Sequence, residues 1–374
     1  WPTADLPGPE GQRFHMDPKL SFPQARRWGY LTPSVQWVGN AYNLTERYPL
    51  PTNAMHISVP RFDVDSGLYL DRKIHYFDYS YTQTLEPRLY YLNVPYRNQA
   101  NIPTFESGYM IFSADQLFRN NRFSGFDRIG DANQLAYGVT SRWLRDADGE
   151  EKASVTVGQL AYFANRRVFL CYNPSGFCQE EPLVLGFLSP TEQFSPVASH
   201  AVYHMNHLWS VIGDYVWDPA TRATNNGQLN LHYQRENNRL FNVGYTYLVN
   251  GDLTQMGATP ANRALNQASA SYAWPLNDYW STVGAYGYNV SKNYEMMALF
   301  GVQYDSCCWA MRLLAGRTFR NLNNIALIQP QSQPEYTNSV FLQLMLKGLG
   351  SVGNASPTSI LQTFVPGYQD TFRS

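Results

Sequence analysis

The residues best suited to covalent chemistry are the four cysteines, which fall into two close pairs. Cys307 and Cys308 are adjacent in YDSCCWAMRL, and neighbouring side chains on an extended chain point to opposite faces, so a bond between them would be strained. Cys171 and Cys178 enclose YNPSGF, whose proline and glycine favour a turn that can bring two Cα atoms within bridging distance. We therefore predict a local disulfide between Cys171 and Cys178, with two free loop thiols as the alternative.

No other combination of residues predicts an enzyme active site or a metal centre. His204 and His207 are three residues apart in HMNH, but they fall where a hairpin turn is expected and not on one face of a helix. The sequence contains neither a G-x-x-x-x-G-K-[ST] phosphate loop nor a G-x-S-x-G nucleophile motif. We expect no catalytic residue, no metal and no cofactor.

Composition argues against nucleic acid as a partner and favours an aromatic-rich β protein. The 374 residues carry 28 Lys and Arg against 29 Asp and Glu, so the formal net charge is −1. Phosphate binding would require a basic surplus. Aromatic residues reach 15%, including 27 Tyr, and no stretch approaches the roughly 18 consecutive apolar residues of a membrane helix.

Alternation of apolar and polar residues recurs along the chain and predicts antiparallel β-strands. In GQLNLHYQRE, Leu229, Leu231 and Tyr233 fall on one face, and the polar residues fall on the other. No comparable segment keeps a 3.6-residue period, so we expect little helix. We predict about fifteen strands between the vicinities of residues 12 and 348, each with the ~9 to 11 residues that a bilayer requires.

Connections between the predicted strands alternate between short and long, which is typical of an outer-membrane barrel with tight periplasmic turns and large extracellular loops. Trp and Tyr near strand ends fit interfacial girdles, although rings that close the ends of a soluble β core would give the same pattern. The fold class predicted is an all-β, transmembrane, antiparallel up-and-down barrel over residues 1–348, followed by a periplasmic tail over 349–374. The long extracellular loops are expected near 97–133, 164–198, 249–265 and 317–338.

The strand count predicts that this barrel is a fragment. Bacterial single-chain barrels have an even number of strands, so about fifteen strands that follow an expected extracellular loop imply that earlier strands lie outside this sequence. The N-terminal WPTADLPGPEGQ carries no secretion signal, in keeping with a piece of a mature exported protein. If the turn at 305–308 is periplasmic, loop parity places Cys171 and Cys178 on the extracellular side.

Charged residues on a strand and on the first long loop are candidates for a polar network in the lumen. Glu86 and Arg88 share one face of the strand EPRLYYLNVPYR. We predict that the loop 97–133 folds back into the barrel and pairs Asp127 or Arg128 with wall charges such as these. The alternative is that the charges are only solvated in a wet lumen. The candidate set is Glu86, Arg88, Arg97, Asp127 and Arg128.

Several segments resemble the C-terminal barrel region of the LptD family, the lipopolysaccharide-assembly proteins of the Gram-negative outer membrane. The likeness covers essentially the whole chain and is looser in the first 75 residues, as in RFHMDPKLSFPQARRWG. An adjacent cysteine pair between two strands, downstream of an EPR…VPYR strand and an FSGFDRI loop, is a highly specific combination. The matching segments are TLEPRLYYLNVPYRNQ (84–99), FSGFDRIGDANQLAYGVTSR (123–142), VGQLAYF (157–163), WPLNDYWSTVGAYGYN (274–289) and GVQYDSCCWAMRLLAGR (301–317).

The resemblance implies an integral outer-membrane barrel of about 26 strands, preceded by a periplasmic β-jellyroll and filled by an LptE-like lipoprotein plug. Lipopolysaccharide would arrive through a bridge of periplasmic proteins at the N-terminal domain and would leave through a lateral gate between the first and last strands. The jellyroll and the early strands have no counterpart in this chain. The last strand would contribute Val340, Phe341, Leu342, Gln343, Leu344, Met345, Leu346 and Lys347 to the gate.

The resemblance also implies a role for the adjacent cysteines, since in the family this pair bonds to two cysteines of the periplasmic N-terminal region. In a chain without that region, Cys307 and Cys308 are expected to be free thiols or to form a strained vicinal bond. The function expected is a non-enzymatic translocon that inserts lipopolysaccharide into the outer leaflet. A diffusion porin or a ligand-gated receptor barrel is the alternative, although neither needs a cysteine tether.

Overall fold

The computed structural model describes residues 10–46, 52–76, 79–170, 190–236, 239–249, 264–320, 335–347, 350–352 and 357–370. Nearly all of the regular structure in these ranges is β-strand, which confirms the all-β prediction. Helix is confined there to a 3₁₀ turn at Ala114–Gln116 and one α-helix, α1, at Pro357–Phe364. Within the described ranges, no helix is both long enough and apolar enough to cross a membrane.

The strands are numbered in chain order. The first nine are β1 (Glu10–Met16), β2 (Lys19–Ser21), β3 (Gln24–Arg26), β4 (Gly29–Glu46), β5 (Ala54–Leu68), β6 (Leu70–Tyr76), β7 (Tyr79–Val94), β8 (Ala132–Arg145) and β9 (Glu151–Tyr162). The others are β10 (Val197–His204), β11 (Trp209–Asp218), β12 (Ala223–Arg235), β13 (Arg239–Leu248), β14 (Leu265–Pro275), β15 (Trp280–Asn289), β16 (Tyr294–Asp305), β17 (Trp309–Arg320), β18 (Glu335–Leu346) and β19 (Gly350–Val352).

Two of the predicted strands are interrupted, and each appears in the structure as two or three consecutive shorter strands. β1, β2 and β3 all pair with β4, and β5 and β6 both pair with β7. When each set is counted once and the three-residue β19 is left out, the nineteen strands of the described residues reduce to fifteen. This number confirms the strand count predicted from alternation.

The chain divides into two compact units, which we describe separately. Unit 1 comprises Trp1–Ala201 and Asp214–Asn226, and unit 2 comprises Val202–Gly213 and Gly227–Ser374. In unit 1, antiparallel pairing links β1 to β4, β4 to β5, β5 to β7, β7 to β8 and β8 to β9. In unit 2, each strand from β13 to β18 pairs with the strand that follows it in the chain.

The sheet of unit 1 has one buried and one exposed face, and their polarity is reversed relative to a soluble β protein. On β4, the exposed positions include Val35 and Trp37, whereas Gln36 and Asn40 lie on the buried face. The buried face also carries apolar residues such as Val38, which join the core under the loop that follows β7. An exposed apolar face and a partly polar buried face are the pattern that period-two strands give when the outer surface contacts lipid.

Unit 2 shows the same alternation. On β18, Val340, Leu342, Leu344 and Leu346 are exposed, and Met345 is buried, which is the period-two alternation expected of a strand. The core of the unit forms on the opposite face of the sheet. Its buried strand residues are Leu240, Ala273, Val283, Ala285, Leu299 and Leu314.

The segment after β18 is part of the core of unit 2. β19 turns back and pairs with Leu344–Leu346 of β18, and α1 packs on the buried face through Leu361. The sequence predicts a periplasmic tail over residues 349–374, and that location stays a prediction. The packing of residues 357–370 on the sheet was not predicted, although the apolar residues at 360, 361, 364 and 365 have the spacing of an amphipathic helix.

The two faces of β17 can be tested with a matched pair of leucines. Leu314 is 0% exposed and its neighbour Leu313 is 45% exposed. Leu314→Ala leaves a cavity in the core, so we expect it to lower the free energy of unfolding by about 2–5 kcal/mol. Leu313→Ala should cost about 1 kcal/mol or less. Denaturant unfolding of the complete protein measures both, and equal losses would contradict the assignment of faces.

Candidate functional site

Asp127 lies at the centre of a buried charge network that joins the loop of residues 95–131 to the sheet of unit 1. The side chain is 0% exposed, and Arg13 Nη1 on β1 lies 2.6 Å from Oδ1. The hydroxyl of Tyr42 on β4 donates to the same oxygen at 3.2 Å. Oδ2 accepts the backbone N–H groups of residues 105–107 at 2.9, 2.8 and 3.2 Å. One carboxylate therefore ties this loop to two strands.

The donors around Asp127 keep it ionised in spite of its burial. Burial alone would raise its pKa, but the N–H groups of Glu106 and Phe105 and the guanidinium of Arg13 outweigh that effect. Together they hold the pKa of Asp127 below its ordinary value of 3.8. Arg13 also contacts Glu106 at 2.7 Å, so one guanidinium faces two carboxylates of the loop.

Arg128 points away from this carboxylate network. Its Nε donates to the carbonyl oxygen of Phe169 at 3.2 Å, and Nη1 donates to that of Pro103 at 3.4 Å. Burial lowers the pKa of the Arg128 guanidinium. Asp127 therefore connects the loop to β1 and β4, whereas Arg128 connects it to the backbone of Phe169 in the segment after β9.

The wall charges Glu86 and Arg88 form their ion pairs within the sheet, although the Arg88 guanidinium also lies 4.2 Å from the ring centroid of Phe118 in the loop. Arg88 makes a bidentate contact with Asp65 on β5, with Nε–Oδ1 at 2.9 Å and Nη2–Oδ2 at 2.6 Å. Glu86 lies 3.4 Å from Arg142 on β8. Because adjacent strands already supply opposite charges, these residues are neutralised across the ladder.

The structure therefore brings Asp127 to a wall charge that the sequence analysis did not name. Arg13 is 114 residues away along the chain from Asp127, and the strand EGQRFHM carries no motif. The one feature of the sequence that could have indicated this role for Arg13 is its position on the face of β1 opposite to the exposed Phe14. Arg97 is exposed and donates to the carbonyl oxygen of Tyr96 at 3.5 Å.

A second buried carboxylate fastens the same loop to the segment that follows β9. Asp131 contacts Arg122 Nη2 at 2.8 Å. It also accepts the backbone N–H groups of Arg167 at 2.8 Å and Val168 at 2.9 Å. Two buried carboxylates, at residues 127 and 131, thus fasten the loop 95–131 to β1, β4 and the segment after β9. A cavity of about 90 Å³ lies beside the loop, lined by Tyr109, Arg122, Leu160 and Tyr162 among others.

Cys307 and Cys308 lie in the short turn between β16 and β17, and both are exposed free thiols with their sulfurs 2.9 Å apart. The hydrogen bond and the charge of Cys307 raise the pKa of the Cys308 thiol, and Lys347 partly offsets this. A raised thiol pKa reduces the thiolate fraction at neutral pH. Cys171 and Cys178 lie outside the described residues, so their disulfide stays a prediction.

The cysteine turn is fastened to the end of β18. The backbone N–H of Lys347 donates to the carbonyl oxygen of Cys308 at 3.0 Å. Lys347 Nζ lies 2.5 Å from Asp305 Oδ1 at the end of β16. The predicted gate strand and the cysteine pair are therefore connected directly through one lysine.

Among the residues that the structure describes, no three or more His, Cys, Asp or Glu side chains are arranged to hold a metal ion. The site is instead a set of paired charges on the buried face of a sheet, with an exposed thiol pair at one turn. Such an arrangement can position a loop and can form covalent links, and it places no nucleophile beside a general base.

The role of Asp127 in holding the loop predicts a pH-dependent opening. Asp127→Asn removes the buried negative charge that pairs with Arg13, so we expect the docking of residues 95–131 to weaken by about 3 kcal/mol or more. The lowered pKa means that this stabilisation is present above pH 3.8 and is lost as the pH falls below that value. Hydrogen exchange of the loop amides in the complete protein measures both effects.

Glu106→Gln is the matched control for this substitution, because Glu106 contacts the same guanidinium but its side chain is 45% exposed. Its effect on loop exchange should be about 1 kcal/mol or less. If the two substitutions opened the loop equally, the assignment of Asp127 as the anchor would be wrong.

The amino-acid sequence is similar to proteins of one known family. The family model described as LptD: LPS transport system D matches residues 2–280. The LPS-assembly protein LptD of Legionella pneumophila strain Lens is 56% identical over 376 residues, covering 100% of this chain and 44% of that protein. The LPS-assembly protein LptD of Pseudomonas aeruginosa strain LESB58 is 36% identical, covering 96% of this chain and 41% of that protein.

The chain spans less than half the length of these curated relatives. Among solved structures, the siderophore receptor PirA from Acinetobacter baumannii aligns with 90% of this chain and 56% of its own, at 7% identity and a TM-score of 0.43. That similarity is too low to support a functional inference. The match of the family model over most of the sequence and the high identity to LPS-assembly proteins show that this chain belongs to the LptD family.

Proposed function

We propose that this chain is part of an outer-membrane β-barrel that inserts lipopolysaccharide into the outer leaflet. The observation that carries the proposal is the 56% identity, over the whole chain, to proteins named LPS-assembly protein. The exposed apolar face of the sheet supports it, because such a face is stable against lipid and costly in water.

The two faces of the sheet suit the two halves of the substrate. Lipopolysaccharide combines several acyl chains with a large sugar, and an unpaired polar group in hydrocarbon costs several kcal/mol. Partly exposed polar side chains on the inner face, such as Asp65 and Arg88, would line a path for the sugars. A lateral opening in the wall would let the acyl chains enter the membrane while the sugars pass through the lumen.

The lateral gate is proposed at β18, with Val340–Lys347 as its contribution from this chain. Within unit 2, β18 pairs with β17 along its whole length but with β19 over Leu344–Leu346 alone. The second edge of Glu335–Gln343 therefore presents backbone groups to a further strand. The first strand of the complete barrel is the partner proposed for that edge.

Cys307 and Cys308 are proposed to bond to two cysteines of a periplasmic N-terminal region outside this chain. Their exposure and their free thiols support this, because both sulfurs are accessible to another domain. Lys347 joins this turn to β18, so the tether would hold the periplasmic end of the gate strand. An LptE-like lipoprotein in the lumen and periplasmic bridge proteins at the N-terminal domain are the partners proposed from family membership.

Depletion of the complete protein tests the main proposal. We expect surface lipopolysaccharide to fall and hydrophobic antibiotics to enter the cell more readily, and a plasmid copy of the wild-type gene should restore both. A plasmid copy of an unrelated porin is the control. Normal surface lipopolysaccharide after depletion, together with impaired uptake of small solutes, would reject the translocon in favour of a porin or receptor.

Mass spectrometry of the intact mature protein under non-reducing conditions tests the tether. We expect peptides that join the segment containing Cys307 and Cys308 to cysteines of the N-terminal region, and these peptides should separate after reduction. A local bond between Cys171 and Cys178 should appear in the same digest. Peptides in which Cys307 and Cys308 are linked to each other would contradict the proposed pairing.

A further inference from the structure

The C-terminal residues 357–370 cover the buried face of unit 2, and they contact strands on both sides of it. We propose that this segment, the C-terminal brace, holds β16, β17 and β18 in one arrangement while the barrel opens beside β18. The proposal rests on the lateral gate of the proposed function and adds a positioning residue to it, Arg312. It is carried by apolar contacts, by a buried guanidinium and by a turn that only glycine fits well.

The apolar half of the brace is α1 and the residue that follows it. Leu361 and Val365 are fully buried against the strands of unit 2. Phe341 of β18 packs against the same cluster. Because the inner wall here is apolar, a wet lumen would leave it exposed to water if the brace were absent. The brace thus has a driving force to stay in place that does not depend on the charges.

The polar half of the brace is centred on Arg312 of β17, whose side chain is 0% exposed. Its Nη2 donates to Asp370 Oδ1 at 2.7 Å and to the hydroxyl of Tyr368 at 3.0 Å. Its Nε donates to Gln303 Oε1 on β16, and its Nη1 donates to Gln343 Oε1 on β18, both at 3.1 Å. One guanidinium therefore joins three adjacent strands to the brace.

The turn between these halves rests on the strands at the other side of unit 2. Asn242 Nδ2 on β13 donates to the carbonyl oxygen of Pro366 at 3.1 Å. Gly367 has a φ of +85°, and a Cβ there would lie 3.0 Å from His232 Cε1 on β12. The contacts of the brace thus run from β12 to β18, across the inner wall beside the proposed gate.

The contacts of the C-terminal brace with Gln343 and Phe341 determine on which side of β18 the gate can open. In the proposed barrel, β18 has β17 on one edge and the first strand on the other, so the wall could open on either side of β18. Gln343 is bound through Arg312, and Phe341 is packed in the apolar cluster, so separating β18 from β17 would break buried contacts. Opening at the unpaired edge of β18 breaks none of them. The brace therefore directs opening to the seam and keeps β17 and β18 together.

Hydrogen exchange in the complete protein, with its lumen partner bound, tests the brace. Asp370→Ala combined with Tyr368→Phe removes the two oxygens that accept from Arg312 Nη2 but leaves the apolar residues of α1 unchanged. We expect amides of β16–β18 to exchange about tenfold faster or more, while those of β13–β15 keep their rates. Gln362→Ala, on the exposed side of α1, is the matched control and should change nothing.

Two results would overturn the brace. Unchanged exchange in β17 and β18 would mean that the segment does not hold them, and an equal rise from β13 to β18 would mean that it only stabilises the unit. Because hydrogen exchange needs no lipopolysaccharide, it tests the brace even if the translocon proposal fails. If the brace and the translocon proposal are both correct, the Asp370 and Tyr368 double variant should also increase antibiotic entry, whereas Gln362→Ala should not.

Discussion

Buried charges on the inner face of the sheet have to be paired, and this requirement organises both units. In unit 1, Asp127 is satisfied by Arg13 of β1 and by the backbone of the loop 95–131. In unit 2, Arg312 is satisfied by side chains of β16, β18 and the C-terminal segment. In each case a segment outside the ladder supplies a counter-charge, so the covering segment and the wall depend on each other.

The reversed polarity of the faces explains why such pairs exist. A sheet that presents apolar residues outward must place its polar side chains on the inner face, where each donor and acceptor needs a partner. Cross-strand pairs such as Arg88 with Asp65 satisfy part of this need. The covering segments satisfy the rest, and they also bring apolar residues that fill the space beside the wall. The loop and the C-terminal helix are therefore structural parts of the wall.

The exposed cysteine turn and the last strand form one mechanical unit at the end of β18. Lys347 binds the carbonyl oxygen of Cys308 through its backbone and pairs with Asp305 through its side chain. A covalent tether at this turn would restrain the same strand that Arg312 restrains from the inner face. The two restraints act at different positions on β18, and both leave most of its second edge accessible to another strand.

Alternation and local motifs depend only on near neighbours, so the amino-acid sequence was sufficient to predict the fold class, the approximate number of strands and the family. Which charges meet depends on contacts between residues that are far apart in the chain. Alternation places Arg13, Glu86 and Arg88 on the inner face, but it cannot say that Arg13 reaches Asp127 while the other two are neutralised by adjacent strands. The packing of residues 357–370 was decided in the same way, since a short apolar helix acquires its position from the wall that it covers.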